Sequence, residues 1–540
     1  MIPSAGIEEG PLIELNACSE SCHVISNHKG TFNSHLENTS EPLSDSAAFR
    51  RGSPVFTSKL HRQILAQVTA LPTSLSAMMT GAAMGWPSPV LEHFCEGAHC
   101  EVRMTAGEAS WVLSLIEIGN LFSPIPCGYL VDMYGRQPCL FATGPLFLGS
   151  WTLIICSRSV GYLYLARLVQ GLGMGIVYTV TPMYISEIAG ADVRGRLSIL
   201  FVGLLNLGIL LEYIVGPFVS YRTLGYISIS VPILFIATSI WLPESPYFLL
   251  MNDKSKEAIN ALMWLRSDYS KDRIFEELTL IKDEVEQEKG TKTAAKNTFG
   301  DIFSSAANRK AFLIVQIAAC ADVLSGMTAI LAYASVIFAA PHNTTMEAED
   351  YPIMLGLIML LAIFPAAYLV DMAGRRPLLI FSCLFSGLFE LVAAFYFYAA
   401  MKLDCDVARL KWIPLLAICA FSVAYSMGLG SLVPTLMGEC FPSQIRGPAS
   451  SMTSITLCAI SFLVIKFFQV VNEEIGLYFN FFIYGVSSIA CSAVLWLVLP
   501  ETKGKTLSEI QQDLKASCKP SKPSLPLYVN ASVPKGVEAS

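Results

Sequence analysis

The run Tyr129-Leu130-Val131-Asp132-Met133-Tyr134-Gly135-Arg136-Gln137-Pro138 returns 239 residues later as Tyr368-Leu369-Val370-Asp371-Met372-Ala373-Gly374-Arg375-Arg376-Pro377, identical at eight of ten positions. Each copy follows a long apolar stretch. A second pattern, Pro-x4-Glu-x6-Arg-Gly, occurs as Pro182, Glu187, Arg194 and Gly195, and again as Pro434, Glu439, Arg446 and Gly447. A third pair, Pro243-Glu244-Ser245 and Pro500-Glu501-Thr502, closes each copy. Three pairs in one order at similar offsets mark an internal duplication.

What is duplicated follows from composition. The 540 residues are 53% hydrophobic and 15% charged, with a mean hydropathy of +0.52. A soluble domain carries about 25% charged residues. A membrane-spanning helix needs about 20 mostly apolar residues, and twelve such stretches are present. They fall at 64–91, 110–131, 138–157, 161–189, 197–219, 222–242, 309–340, 351–370, 377–401, 411–440, 447–471 and 476–499. The expected fold is an all-α polytopic membrane protein of two pseudo-symmetric six-helix halves. Its parts are an N-terminal tail (1–62), a first bundle (63–243), a helical linker (244–308), a second bundle (309–500) and a C-terminal tail (501–540).

Positive charge predicts the orientation. With these spans, 28 of the 36 Lys and Arg residues lie in the tails and the even-numbered turns, and six lie on the opposite side. Both termini are therefore expected in the cytoplasm, and the expected location is the plasma membrane. In the linker, Ile274, Leu278, Ile281 and Val285 recur at helical spacing among Glu and Lys, which predicts amphipathic cytoplasmic helix. Net charge of −7 argues against nucleic acid as a partner. The expected partner is the bilayer, and the chain is expected to act as a monomer.

The repeated motifs suggest an electrostatic device. Each half sets an Asp and an Arg in one tight turn and a Glu and an Arg two turns on. Charges at a low-dielectric boundary seek partners. The expectation is a latch of Asp132, Arg136, Glu187, Arg194, Asp371, Arg375, Glu439 and Arg446 that holds the two halves together in one conformer. Gly135 and Gly374 permit the sharp turn.

These motifs resemble those of the major facilitator superfamily, and specifically its sugar porter family of glucose and trehalose facilitators. Gly128 to Arg136 is similar to the superfamily loop motif, Pro243-Glu244-Ser245-Pro246 to the signature after span six, and Pro500 to Leu507 to the signature after span twelve. Arg167 with Gly171 and Gly173 fits span four. The resemblance runs from about residue 63 to 511 and implies alternating access around a site between the halves. It aligns the span-seven sugar-reading sequence with Asp322-Val323-Leu324-Ser325-Gly326-Met327-Thr328. The two glutamines and the asparagine of the family are replaced there. Family amides and aromatics elsewhere align with Met359, Pro434 and Leu457-Cys458, while Asn206 keeps an amide in span five. The resemblance thus implies a substrate site of Asn206, Asp322, Ser325, Thr328 and Tyr333.

A sugar site supplies several directed donors and acceptors, and each buried hydroxyl left unpaired costs about 1–3 kcal/mol. Replacing amides by Val, Met, Leu and Cys leaves three readings open. The first is facilitated diffusion of a sugar, trehalose or a hexose. The second is a proton-coupled or non-sugar porter using Asp322, and the third a nutrient receptor on the same scaffold. Charges within expected spans (Glu117, Glu212, Asp322, Glu390, Lys466) are functional candidates by position.

No phosphate loop, zinc-protease motif or nucleophile elbow is present, so no enzyme, cofactor or metal is expected. His93, Cys95, His99 and Cys100 lack a zinc-site spacing. A Cys95–Cys100 disulfide or no bond at all is the reading preferred there. Asn343-Thr344-Thr345 is an expected glycosylation acceptor on the outer side.

Overall fold

In the computed structural model the described residues are 71–91, 102–189, 191–266, 271–294, 300–339, 350–403, 412–441 and 443–503, with isolated positions up to 513. The side chains of Arg194 and Asp371 lie outside this description, as do Asn343, the 92–101 loop with its His and Cys residues, and most of both tails. Regular structure among the described residues is helical throughout.

Ten helical stretches are long and apolar enough to cross a membrane, from Arg136–Ile155 to Leu477–Val498. Two more complete the expected series. One is the helix over 71–85, extended by Pro87–Val90. The other is Ala106–Phe122 followed by Pro124–Tyr134, interrupted at Ser123 before a proline that cannot donate to the preceding turn. Thr105 opens that span with a reciprocal capping box to Glu108. We number the spans one to twelve in chain order.

The seventh span is broken in three: Ala306–Leu324, Met327–Ala332 and Ala334–Ala339. Its first break is at Ser325-Gly326, where Gly326 takes φ +74° and a Cβ would stand 2.3 Å from the Tyr484 ring. Only glycine fits that backbone and that gap. The linker forms Pro246–Met251, Ser255–Leu265 and Lys271–Ala294. Leu249, Leu250, Ala258, Ala261 and Val285 make a small core there, with Leu278 and Ile281 packed against it. Arg266 pairs with Glu277 at 3.0 Å and donates to the Ile188 carbonyl at the end of span four.

Packing is not uniform between the halves. One cluster of buried side chains runs through both, joining Trp86, Trp151 and Tyr213 to Tyr333, Phe338, Phe468 and Phe481. A second, with Ala311, Leu379, Leu432, Phe441 and Leu495, belongs to the second half alone. The repeated charged turns, 134–136 and 373–375, lie at one end of the bundle, here called the charged end. In the second half the shared core keeps toward the opposite, far end, while in the first it also reaches the charged turn through Val131, Cys139 and Leu242.

Direct bonds between halves cluster at that far end. Ser335 N donates to Ser88 Oγ at 3.1 Å, and Ser335 Oγ donates to the Ser88 carbonyl. The Tyr213 hydroxyl donates to the Leu331 carbonyl at 2.7 Å. Lys466 Nζ donates to Ser110 Oγ at 2.7 Å and to the Gly107 carbonyl at 3.3 Å, and stands 4.3 Å from the Trp111 ring. The Trp111 and Phe462 rings meet at 5.8 Å. The far end is closed.

Candidate functional site

A space remains between the halves behind this closure. Tyr178, from span four, is 39% exposed. Yet its hydroxyl reaches Met84 Sδ of span one at 3.5 Å, and it lies within electrostatic range of Glu117, Asp322, Tyr425 and Cys458 from spans two, seven, ten and eleven. A side chain enclosed by five spans and still accessible faces a central cavity.

Asp322 is half-buried beside it. Its Oδ1 accepts from the Tyr425 hydroxyl at 2.8 Å, and its backbone carbonyl accepts from Ser325 Oγ at 2.6 Å. Thr328 follows on the next helical segment, its Oγ1 buried with no hydrogen-bond partner among the described residues. The break at Ser325-Gly326 is what separates these two segments. Discontinuous helices of this kind mark substrate sites in transporters.

The five residues implied by resemblance are therefore not all in one place. Asp322, Ser325 and Thr328 come together along span seven. Asn206 is buried, and its Nδ2 donates to the Met359 carbonyl at 3.2 Å, tying span five to span eight. Tyr333 stacks on Phe468 at 4.4 Å and donates to the Ile465 carbonyl at 3.4 Å. Both are committed to packing. Tyr178 and Tyr425 take their place around Asp322, and nothing in their local sequence distinguishes them from other aromatic residues of the spans.

The other intramembrane charges are accounted for individually. Arg167 is fully buried; it donates to the carbonyls of Val112 (3.1 Å) and Ala83 (2.6 Å) and to Gln170 Oε1 (2.9 Å), and lies over Trp86. It joins spans one, two and four. Glu117 accepts from Asn120 at 3.4 Å. Glu212 accepts from Ser228 Oγ at 2.6 Å, and Glu390 from Ser488 Oγ at 3.5 Å.

The charged turns form a second site, built twice. Gly135 (φ +107°) ends span two and Gly374 (φ +90°) ends span eight. Glu244 then caps the start of span three, accepting from the backbone N–H of Arg136 (3.0 Å) and Gln137 (3.3 Å). Glu501 caps span nine in the same way, accepting from Arg375 (3.0 Å) and Arg376 (3.2 Å). A carboxylate suits the positive end of a helix. The third repeat had signalled these two glutamates without showing what they do.

Arg136 donates through Nε and Nη2 to Glu187, at 3.1–3.2 Å, and through Nη1 to the Val131 carbonyl. Arg375 makes the matching bonds to Glu439 (3.3 Å) and the Val370 carbonyl. Asp132 is 3.9 Å from Arg136 and 69% exposed, a weak contact. Arg446 is exposed and donates to the Phe441 carbonyl. In this conformer, closed at the far end, each described ion pair of these motifs joins elements of one half. The reason is reach, since spans two, three and four converge within each bundle at this turn. The Tyr184 hydroxyl adds to the first cluster by donating to the Pro243 carbonyl.

Burial pushes the Glu244 carboxyl above the ordinary glutamate range, against the pull of the Ser245, Arg136 and Gln137 N–H donors. Burial pushes Glu501 up too. There the N–H donors of Lys503, Arg375, Arg376 and Thr502 outweigh it and hold the carboxyl below that range.

Comparison with known proteins bears on this architecture directly. A family model described as "Sugar (and other) transporter" matches residues 69–514. The chain is similar to the facilitated trehalose transporter Tret1 of Anopheles gambiae, with 29% identity over 452 residues, 84% of this chain and 56% of that one. It thus spans about half the length of that relative. The Tret1-2 homolog of Drosophila simulans is 29% identical over 452 residues, covering 84% of this chain and 91% of that one. Among solved structures, the major facilitator superfamily proton:xylose symporter XylE superposes with a TM-score of 0.67 at 21% identity, over 84% of this chain and all of that one. A partially occluded inward-open form of XylE from E. coli gives 0.66 at 22% identity, over 82% of this chain and 99% of that one. The fold is the major facilitator fold, and the chain belongs to the sugar (and other) transporter family of membrane proteins.

Proposed function

We propose that this protein carries a sugar, a hexose or trehalose, down its gradient by alternating access of the central cavity. The observation that carries the reading is the accessible space around Tyr178, Asp322 and Tyr425, enclosed by both halves and closed at the far end. Two trehalose transporters among the relatives support the substrate class. In the opposite conformer the Ser88–Ser335 and Lys466–Ser110 contacts part and the charged end closes. Arg136–Glu187 and Arg375–Glu439 act in this cycle by keeping each half rigid, so that the halves rock as bodies. Arg194, Asp371 and Arg446 are proposed to belong to the same motif clusters.

The excess of Lys and Arg at the charged end supports cytoplasmic termini. A plasma-membrane location, glycosylation at Asn343 and action as a monomer without a cofactor complete the reading. Radiolabelled uptake in oocytes expressing the protein at the surface tests it, with saturable uptake of trehalose or a hexose as the expected result. Surface expression with no uptake of any sugar overturns it, and binding without accumulation favours a receptor instead.

A further inference from the structure

The central cavity holds a carboxyl group with no cationic partner among the described residues. Asp322 has one oxygen on the Tyr425 hydroxyl. Among the described residues no Lys or Arg is in contact with it, and Tyr425 is its side-chain partner. Arg167, a buried cation of the first half, is held by the Ala83 and Val112 carbonyls and by Gln170, and Lys466 is held at the far end by Gly107 and Ser110. The next charged neighbour of the cavity is another acid, Glu117, within range of Tyr178.

A lone carboxylate inside a membrane protein is costly until it meets a cation or takes up a proton. A neutral polyol hydrogen-bonds to it but leaves the charge uncompensated. A protonated amine compensates it and also finds two tyrosine rings, Tyr178 and Tyr425, suited to cation–π contact.

We propose that the cavity selects a hydroxylated solute bearing a protonated amine, an amino sugar by chemical class, over the neutral sugar of the same size, with Asp322 as the group that sets the preference. This rests on reading the cavity as the transport site.

The test compares glucosamine, glucose and the uncharged N-acetylglucosamine, in uptake by oocytes and in thermal stabilisation of the purified full-length protein. The wild type is expected to take up glucosamine at least tenfold better than either neutral sugar and to be stabilised by it at lower concentration. Asp322→Asn, which keeps the shape and removes the charge, is expected to lower the ratio of glucosamine to glucose uptake at least tenfold. A wild type that moves glucose as well as glucosamine, or an unchanged ratio in Asp322→Asn, overturns the inference and leaves sugar transport standing. Absence of uptake of all three overturns the inference, and absence of trehalose uptake as well overturns the transport reading. Stabilisation of the wild type remains decisive if the variant fails to reach the surface: equal stabilisation by glucosamine and glucose, or none by either, overturns the charge preference.

Discussion

The turn at Gly135 and the turn at Gly374 carry nearly the same residues, yet the first is the tighter structure. Arg136 is 6% exposed and Glu187 12%, against 19% for Arg375 and 27% for Glu439. Arg136 makes three hydrogen bonds to its glutamate and lies over the Phe248 ring at 5.0 Å. Arg375 makes one bond, and Glu439 Oε2 has no partner among the described residues. Phe248 belongs to the linker, which packs against the first half. Two copies of one motif thus differ because their surroundings differ, and charge pairs gain from being enclosed.

The sharpest way to break this comparison is to remove each arginine in turn. Arg136→Ala leaves Glu187 buried and unpaired and is expected to destabilise the protein by about 3–5 kcal/mol. Arg375→Ala, in the more open pair, is expected to cost nearer 1 kcal/mol. Thermal unfolding in detergent reads both, and equal losses would show that the two pairs are energetically equivalent.

The glycines rank next. A Cβ on Gly135 would stand 2.1 Å from Glu244 Oε2, and one on Gly374 would stand 2.9 Å from Glu501 Oε2. Each backbone also has a φ that disfavours a side chain, a cost of about 1–3 kcal/mol. Both alanine variants are therefore expected to lower stability and surface expression, Gly135→Ala more than Gly374→Ala. The reverse order would mean that Glu244 moves aside more easily than its burial implies.

Smaller effects come from one of the two positions where the repeats differ. Gln137 Nε2 donates to the Ser239 carbonyl at 3.3 Å, and Arg376 Nη2 to the Trp496 carbonyl at 2.8 Å. Each contacts the last span of its own half near its end. Arg376 adds a positive charge at a helix C-terminus, worth about 0.3–1 kcal/mol. Arg376→Gln is expected to lose this and Gln137→Arg to gain it, with midpoints of unfolding as the measurement.

The last difference is one of pH. Glu501, held below the ordinary glutamate range, contributes stability above that range and loses it as pH falls through its own lower pKa. Glu244, held above the range, contributes most when protonated and loses that contribution as pH rises through its raised pKa. Unfolding followed from about pH 6 to about pH 3 is expected to show an acid-side loss that Glu501→Gln flattens. Glu244→Gln is expected to flatten a loss of opposite sign, and a common response of both variants would erase the distinction. The Glu501 effect is small, because Glu501 is partly exposed.

The duplication, the series of spans and the acids within them could be read from the chain, since apolar run length and repeated spacing are local properties. The partners could not. Pro243-Glu244-Ser245 and Pro500-Glu501-Thr502 were visible as a pair, but only the folded turns show each glutamate capping the helix two motifs upstream. The same holds for the cavity. Asp322 was conspicuous as an acid in a span, whereas Asn206 and Tyr333 looked equally suited to bind solute until the closed far end engaged both in packing. Tyr178 and Tyr425 carried no signal, because a tyrosine in an apolar span reads as one more aromatic.

By itself the sequence determined that this protein is a duplicated bundle of membrane helices with a charged turn repeated in each half. Burial of apolar length and the need to pair every backbone group in lipid leave little else. Only the tertiary structure decided that the described charged pairs close within the halves and that Asp322 faces open space beside two tyrosines. Identical spacing permits pairing within a half or across the interface, and the choice depends on which spans converge in three dimensions.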